Sequence, residues 1–199
     1  MTSTPSRPPS ADDGAFKAEL VTLIPHLRAF ARTLTGDPTS ADDLAQEAMM
    51  KAWDARASYQ MGTNMKAWTF MILRNQFYSE KRRSWRQSQL DQEAAERTLV
   101  AVDDPEAPVA LDELRQALKT LPEEQREALI LVGAGGFAYE EAAEICGCAV
   151  GTVKSRVSRA RRALQATLER GGYDRDGKAA GDAMRSILGE ADRLSGARG

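Results

Sequence analysis

Three groups of side chains in this chain have types and spacings that could do chemistry. Arg74, Tyr78, Lys81 and Trp85 recur at three- and four-residue steps, with Arg82, Arg83 and Arg86 crowded in behind them. On a helix that spacing gathers them on one side. Cations interleaved with rings suit single-stranded nucleic acid, because charge follows the phosphates and rings stack on unpaired bases. The same pattern also fits rings that cover a core beneath solvated cations. The second group lies on a later helix. Thr152, Ser155, Ser158, Arg159 and Arg162 fall opposite an apolar stripe, flanked by Lys154, Arg156 and Arg161. Small hydroxyls let a helix enter a major groove, and Arg can bond guanine edges or phosphates. Lys154, Ser155, Ser158 and Arg159, near the helix start, are the expected base contacts. Arg156, Arg161 and Arg162 are the expected phosphate contacts. The third group is Asp43, Gln46, Glu47 and Met50, a polar stripe at i, i+3, i+4 and i+7. On its own it reads as an ordinary solvated face.

No set of residues points to bond-making chemistry, so an enzyme is not expected. There is no phosphate-binding glycine loop, no metal cluster and no paired nucleophile and base. His26 is the single histidine, and it reads as a helix-surface or core residue. Cys146 and Cys148 are expected to stay reduced; two thiols fall short of a four-ligand zinc site. Neither cofactor, metal nor small-molecule substrate is expected.

The elements that must position these groups all carry the helical period, so the expected fold class is all-α, with two small helical domains. Thr39 or Ser40 is expected to cap a helix with Asp42 and Asp43 in its first turn. Its buried side would hold Leu44, Ala48, Ala52 and Trp53. A second helix is expected from about Met65 to Arg83, with Trp68, Ile72 and Leu73 in the core. Leu111, Leu114, Leu118 and Leu121 form a helical stripe, and Pro122 is placed to start the next helix. Then comes a helix-turn-helix. Its short helix spans Tyr139–Gly147 and its longer one begins near Thr152. Small Ala143 lies where the helices touch, Gly147 at the turn and apolar Val153 inside the second helix. Val153, Val157, Ala160, Leu164 and Leu168 would face the core.

Of the 199 residues, 42% are apolar, and the net charge is only -2. That average hides acidic segments at 89–121 and 122–147 and a basic one at 148–170. The expected organisation is a disordered tail at 1–14, a domain at 15–88, an acidic proline-containing linker at 89–108, a second domain at 109–170 and an extension at 171–199. Met184, Ile187, Leu188, Ala191 and Leu194 give that extension a short amphipathic stripe. No signal peptide or membrane span is read, and a cytoplasmic location is expected. A duplex-binding repressor or activator would account for 139–168 but gives 35–86 no role.

The motifs resemble those of a known family. "Thr-Gly-Asp-Pro" with "Ala-Asp-Asp-Leu-Ala-Gln-Glu" and "Lys-Ala-Trp", within 35–53, resembles the second region of bacterial sigma factors. "Met-Lys-Ala-Trp-Thr-Phe-Met-Ile-Leu-Arg-Asn" (65–75) is similar to the promoter-melting region that follows. "Leu-Pro-Glu-Glu-Gln-Arg-Glu-Ala-Leu" (121–129) and 139–161 are similar to the fourth region. With no domain between them, the chain resembles the extracytoplasmic-function group. Residues 133–143 are similar to the general-stress-response factors of alphaproteobacteria. The resemblance implies that Asp43, Leu44, Gln46, Glu47 and Met50 meet core RNA polymerase. It implies that Arg74, Asn75, Tyr78, Lys81, Arg82, Arg83, Trp85 and Arg86 hold the opened -10 strand. Thr152, Lys154, Ser155, Arg156, Ser158, Arg159, Arg161 and Arg162 would read the -35 duplex of promoter DNA. It further implies an anti-sigma factor as regulatory partner, and a linker that follows the RNA path of the polymerase.

Overall fold

The computed structural model describes residues 11–90, 114 and 116–170, with side chains for 13–87, 114 and 116–167. The tail at 1–10, most of the acidic linker and the extension at 171–199 lie outside the described residues, and with them the expected amphipathic stripe. Among the described residues every regular element is helical. The N-terminal module comprises α1 (Ala11–Thr22), α2 (Ile24–Thr35), α3 (Pro38–Asp54) and α4 (Met65–Leu90). The C-terminal module contains a helical stretch at 116–119, followed by α5 (Glu123–Gly133), α6 (Tyr139–Cys146) and α7 (Val150–Arg170).

Local chemistry sets the ends. In α2, Leu27, Phe30, Ala31 and Leu34 are buried at i, i+3, i+4 and i+7, and Gly36 closes the helix at φ +74, a left-handed conformation that glycine adopts without a Cβ clash. Asp37 caps α3 by accepting the Ser40 N–H at 2.7 Å, and Pro38 fills the first turn, where its missing N–H does no harm. The cap is therefore Asp37, not Thr39 or Ser40; those two lie inside the first turn. Asn64 caps α4 by accepting from the Ala67 N–H at 3.0 Å. α4 runs on to Leu90, past the expected end at Arg83 and to the start of the linker segment. At the other end of the module, α1 starts at Ala11, inside the stretch expected to be a tail. Its Phe16 and Leu20 face the core, and Phe16 packs its ring against Trp53, Tyr59 and Trp68. Pro122 is the residue before the first turn of α5 rather than part of it.

The helix-turn-helix is present, but its second helix starts at Val150, two residues before the expected Thr152, and its first ends at Cys146. Ala143 is buried at the helix contact, and Gly147 takes φ +62 at the turn. Val153, Val157, Ala160 and Leu164 line the buried side of α7. The Glu141 carboxylate reaches back to the Ala138 N–H at 2.9 Å and so closes the start of α6.

The two modules are docked. α4 packs on α6, and α2 packs on α5. Phe70 of α4 stacks on Phe30 of α2 and meets the edge of Phe137 from the loop before α6. One contiguous apolar cluster runs through both modules. Leu27, Leu73, Leu131 and Leu164 are almost wholly buried in it, each contributing roughly 1.5–3 kcal/mol of burial.

Candidate nucleic-acid and partner interfaces

The α3 stripe is exposed. Asp43, Gln46 and Glu47 face solvent, and Met50 is 60% exposed. Leu44 is not part of this surface: it is 3% exposed and packs into the core, one helical step round from the stripe. Its placement among the polymerase contacts is therefore corrected. Beside the stripe, α1, α2 and α3 border an open groove of about 1050 Å³ whose apolar lining includes Leu20, Val21, Ile24, Met49 and Met50. Arg28 and Asp42 form an ion pair at its rim. Hydrogen bonding to Arg28, aided by its charge, holds the Asp42 carboxyl below the usual carboxylate range.

The α4 group splits in two. Asn75, Lys81, Arg82, Arg83, Trp85 and Arg86 are exposed, Trp85 at 64%. Arg74 and Tyr78 are half-buried and turned towards the C-terminal module. Arg74 Nε donates to Glu127 Oε1 at 2.6 Å, and the Tyr78 hydroxyl donates to Glu127 Oε2 at 3.2 Å. The Arg74 guanidinium also lies 4.5 Å above the centre of the Tyr78 ring. Next along α4, Lys81 pairs with Glu123. At the other end of the interface, Lys66 Nζ donates to the Gly135 carbonyl at 2.7 Å. Asn64 Nδ2 there donates to Glu141 Oε1 at 2.7 Å.

Glu127 is the centre of this contact. Its side chain has no solvent exposure. Burial pushes its carboxyl above the ordinary value, opposed by the charge and hydrogen bond of Arg74 and by the Tyr78 hydroxyl. Burial likewise opposes the Arg74 charge, but Glu127 outweighs it, and the guanidinium is held more firmly protonated. The Tyr78 phenol is pushed up by burial and by the neighbouring carboxylates. The sequence reading passed over Glu127. The signal was available, since Glu127 falls four residues before buried Leu131 and so shares its core-facing register. Gly135 and Phe137 were passed over too. A Cβ on Gly135 would lie 2.5 Å from the Leu131 carbonyl oxygen and 2.9 Å from the Phe137 ring, so only glycine fits this turn.

On α7 the expected base-reading residues share one open face. Lys154, Ser155, Ser158 and Arg159 are exposed, as is Arg162. Arg159 donates to Ser155 Oγ at 3.1 Å, which holds its guanidinium along the helix. Lys154 Nζ lies 5.6 Å from the Tyr139 ring centre. Thr152 and Arg161 are partly buried. Arg156 is placed differently: only 15% exposed, it pairs with Glu124 of α5 and donates to Cys148 Sγ at 3.6 Å. It braces α7 against α5, which corrects its expected role as an open phosphate contact.

Comparison with known proteins agrees with this architecture. The family model for Sigma-70 region 2 matches residues 20–87, and that for Sigma-70 region 4 matches residues 111–164. The chain is 45% identical over 175 residues to the ECF RNA polymerase sigma factor EcfG of Rhodopseudomonas palustris, covering 88% of this chain and 96% of that protein. It is 35% identical over 135 residues to the ECF RNA polymerase sigma-E factor of Escherichia coli, covering 61% of this chain and 70% of that one. Among solved structures, the sigma factor RpoE of Bartonella quintana, in complex with the anti-sigma factor NepR, superposes with a TM-score of 0.70 at 46% identity. That match covers 81% of this chain and 99% of the other. With both regions matched in the same order, and with the chain resembling the alphaproteobacterial general-stress-response group, it belongs to the sigma-70 family as an extracytoplasmic-function RNA polymerase sigma factor, a protein of promoter-directed transcription initiation.

Proposed function

We propose that this sigma factor selects promoters with two separate surfaces, α7 for the -35 duplex and the exposed part of α4 for the opened -10 strand. The observation that carries this reading is the two-sidedness of α7. Val153, Val157 and Ala160 are buried while Lys154, Ser155, Ser158 and Arg159 stand in solvent within its first three turns. A helix so anchored can enter a major groove with its N-terminal residues at the base edges. Arg162 then serves a phosphate, and Arg161 from its partly buried position can do the same. On α4, Asn75, Arg82, Arg83, Trp85 and Arg86 supply the charge and the ring that an unpaired strand needs, with Arg74, Tyr78 and Lys81 completing the face once they are released from Glu127 and Glu123. Capturing unstacked bases costs a few kcal/mol, which stacking and phosphate contacts offset.

Asp43, Gln46, Glu47 and Met50 are the proposed contacts to core RNA polymerase. An exposed methionine beside acidic and amide groups gives that surface an apolar anchor with a polar surround. The bond-making steps belong to the polymerase. By likeness to the Bartonella quintana complex, an anti-sigma factor is the proposed regulatory partner; a stress regulon is the proposed target, on the resemblance of residues 133–143. The proposed site of action is the cytoplasm, with the polymerase; among the described residues no helix is long and apolar enough to cross a membrane.

The test is in vitro transcription with core polymerase and a template carrying a candidate promoter. Wild type should start transcripts at one position. Asp43→Ala/Gln46→Ala should lose core polymerase binding, and Arg159→Ala should keep it while losing promoter choice. A chain that ignores core polymerase but binds duplex tightly by itself would instead be a conventional duplex-binding regulator, and α3 and α4 would need another account.

A further inference from the structure

We infer that the docked chain is a self-closed form, in which carboxylates of α5 occupy the strand-holding cations of α4 while the duplex-reading face of α7 stays open. The inference rests on the proposed role of α4 in holding the unpaired strand.

The chemistry of the interface carries it. An arginine fork and a lysine ammonium bind carboxylate and phosphate oxygens by the same charge-assisted geometry. In the docked chain the oxygens are supplied from within. Glu127 accepts from both Arg74 and Tyr78, and Glu123 accepts from Lys81. One face of the Tyr78 ring is covered by the Arg74 guanidinium, so it is closed to a base. Part of the proposed strand-binding face is thus spent on an internal mimic of a nucleic-acid backbone. Apolar contacts add to the closure, since Phe137 packs on Phe70 at the far end of the same interface. None of these contacts touches the exposed side of α7, where Lys154, Ser155, Ser158 and Arg159 remain in solvent. The closed chain can therefore meet duplex DNA but cannot fully hold an unpaired strand. Strand capture has to follow, or be coupled to, withdrawal of α5 from α4.

Glu127→Gln tests this with minimal change of shape, since it removes the charge and keeps the volume. The full chain is measured in three ways: radius of gyration by small-angle X-ray scattering, and anisotropy of a short fluorescein-labelled mixed-sequence oligonucleotide, single-stranded and as duplex. If the closed form holds about nine-tenths of the wild-type molecules, opening raises apparent single-strand affinity about tenfold. The expected result is an expanded chain with that gain and an unchanged duplex affinity. A chain that stays compact and binds the single strand no better refutes the closure; the role of α4 then survives if Arg83→Ala/Arg86→Ala still weakens single-strand binding. A chain that expands with no gain in single-strand affinity refutes the role of α4, and the proposed occlusion with it. If circular dichroism shows that Glu127→Gln has lost helix, Glu123→Gln at the rim of the same interface takes its place with the same readouts.

Discussion

Removing the Arg74 guanidinium should cost a definite and pH-dependent amount of stability. In the Arg74→Met variant Glu127 keeps only the Tyr78 hydroxyl, at 3.2 Å, in a site where its side chain has no solvent exposure. A buried carboxylate left without its cation is strongly destabilising, by about 3–5 kcal/mol. Protonation offers an escape. Holding a carboxyl of ordinary value 4.5 neutral at pH 7 costs about 3.4 kcal/mol, at about 1.4 kcal/mol per pH unit. The loss is therefore capped near 3 kcal/mol at neutral pH and falls to about 1.4 kcal/mol at pH about 5.5. The sign follows from linkage. Burial raises the folded-state value of Glu127 above the unfolded one, more so once Arg74 is gone. The stability it contributes is complete below the unfolded value and is lost as pH rises through the folded value. Urea denaturation followed by circular dichroism, at both pH values, reads the difference, because one apolar cluster joins the modules. Arg74→Met/Glu127→Leu should recover most of the loss, since a well-packed apolar pair often matches a buried ion pair. A loss below about 1 kcal/mol, a loss that does not change with pH, or a double variant worse than the single one would refute this account of Glu127.

Three further outcomes are expected. Arg159→Ala should weaken holoenzyme binding to a promoter duplex by about 1–3 kcal/mol, roughly 5- to 150-fold, and relax the preference at one base pair; Arg162→Ala should instead weaken all sequences alike and flatten the salt dependence, and anisotropy titrations at two salt concentrations separate the two. Gly147→Ala should cost about 1–2 kcal/mol from backbone strain alone, since φ is +62 and no atom lies within 4 Å of the added Cβ; Gly135→Ala, which meets Leu131 and Phe137, should cost more, and urea midpoints in the reverse order would contradict the geometry. Asp37 and Asp42 are both held below the ordinary 3.8, Asp37 by its bond from the Ser40 N–H and Asp42 by Arg28; the stability they add is present above that value and lost as pH falls through their lowered ones. The Tm of Asp37→Ala should thus lie below wild type at neutral pH and converge on it in acid.

Much of the C-terminal module was legible because its constraints are local. Ala143, Gly147 and Val153 each answer to a single turn or helix contact, and the alternation of Val153, Val157, Ala160 and Leu164 with basic residues follows from one helical period. The α3 stripe was legible in the same way, except at Leu44, where a motif match overrode the core position its spacing assigns. The docked arrangement was not legible. Arg74 and Tyr78 lie about 50 residues from Glu127 in sequence, and the first two have ordinary local readings, a solvated cation and a core-covering ring. Their meeting depends on how two modules pack, which no helical period encodes. Arg156 misled for a related reason. Its register borders the basic face of α7, but α5 brings Glu124 up against it. The cap at Asp37 was missed because Ser40 caps about as well as Asp and Thr39 only somewhat less, and the position of Pro38 is what separates them.

The two thiols flanking the turn of the helix-turn-helix have a practical consequence. Cys146 is 5% exposed, and burial pushes its thiol up to about 12, so little of it is thiolate at neutral pH and it is shielded from alkylating reagents. Cys148 is only partly buried and touches the Arg156 guanidinium. A maleimide dye should therefore attach at one native position, beside the start of α7. Wild-type protein then carries its own optical probe for the proposed seating of α7 on duplex DNA, with no engineered cysteine and with Lys154, Ser155, Ser158 and Arg159 unaltered.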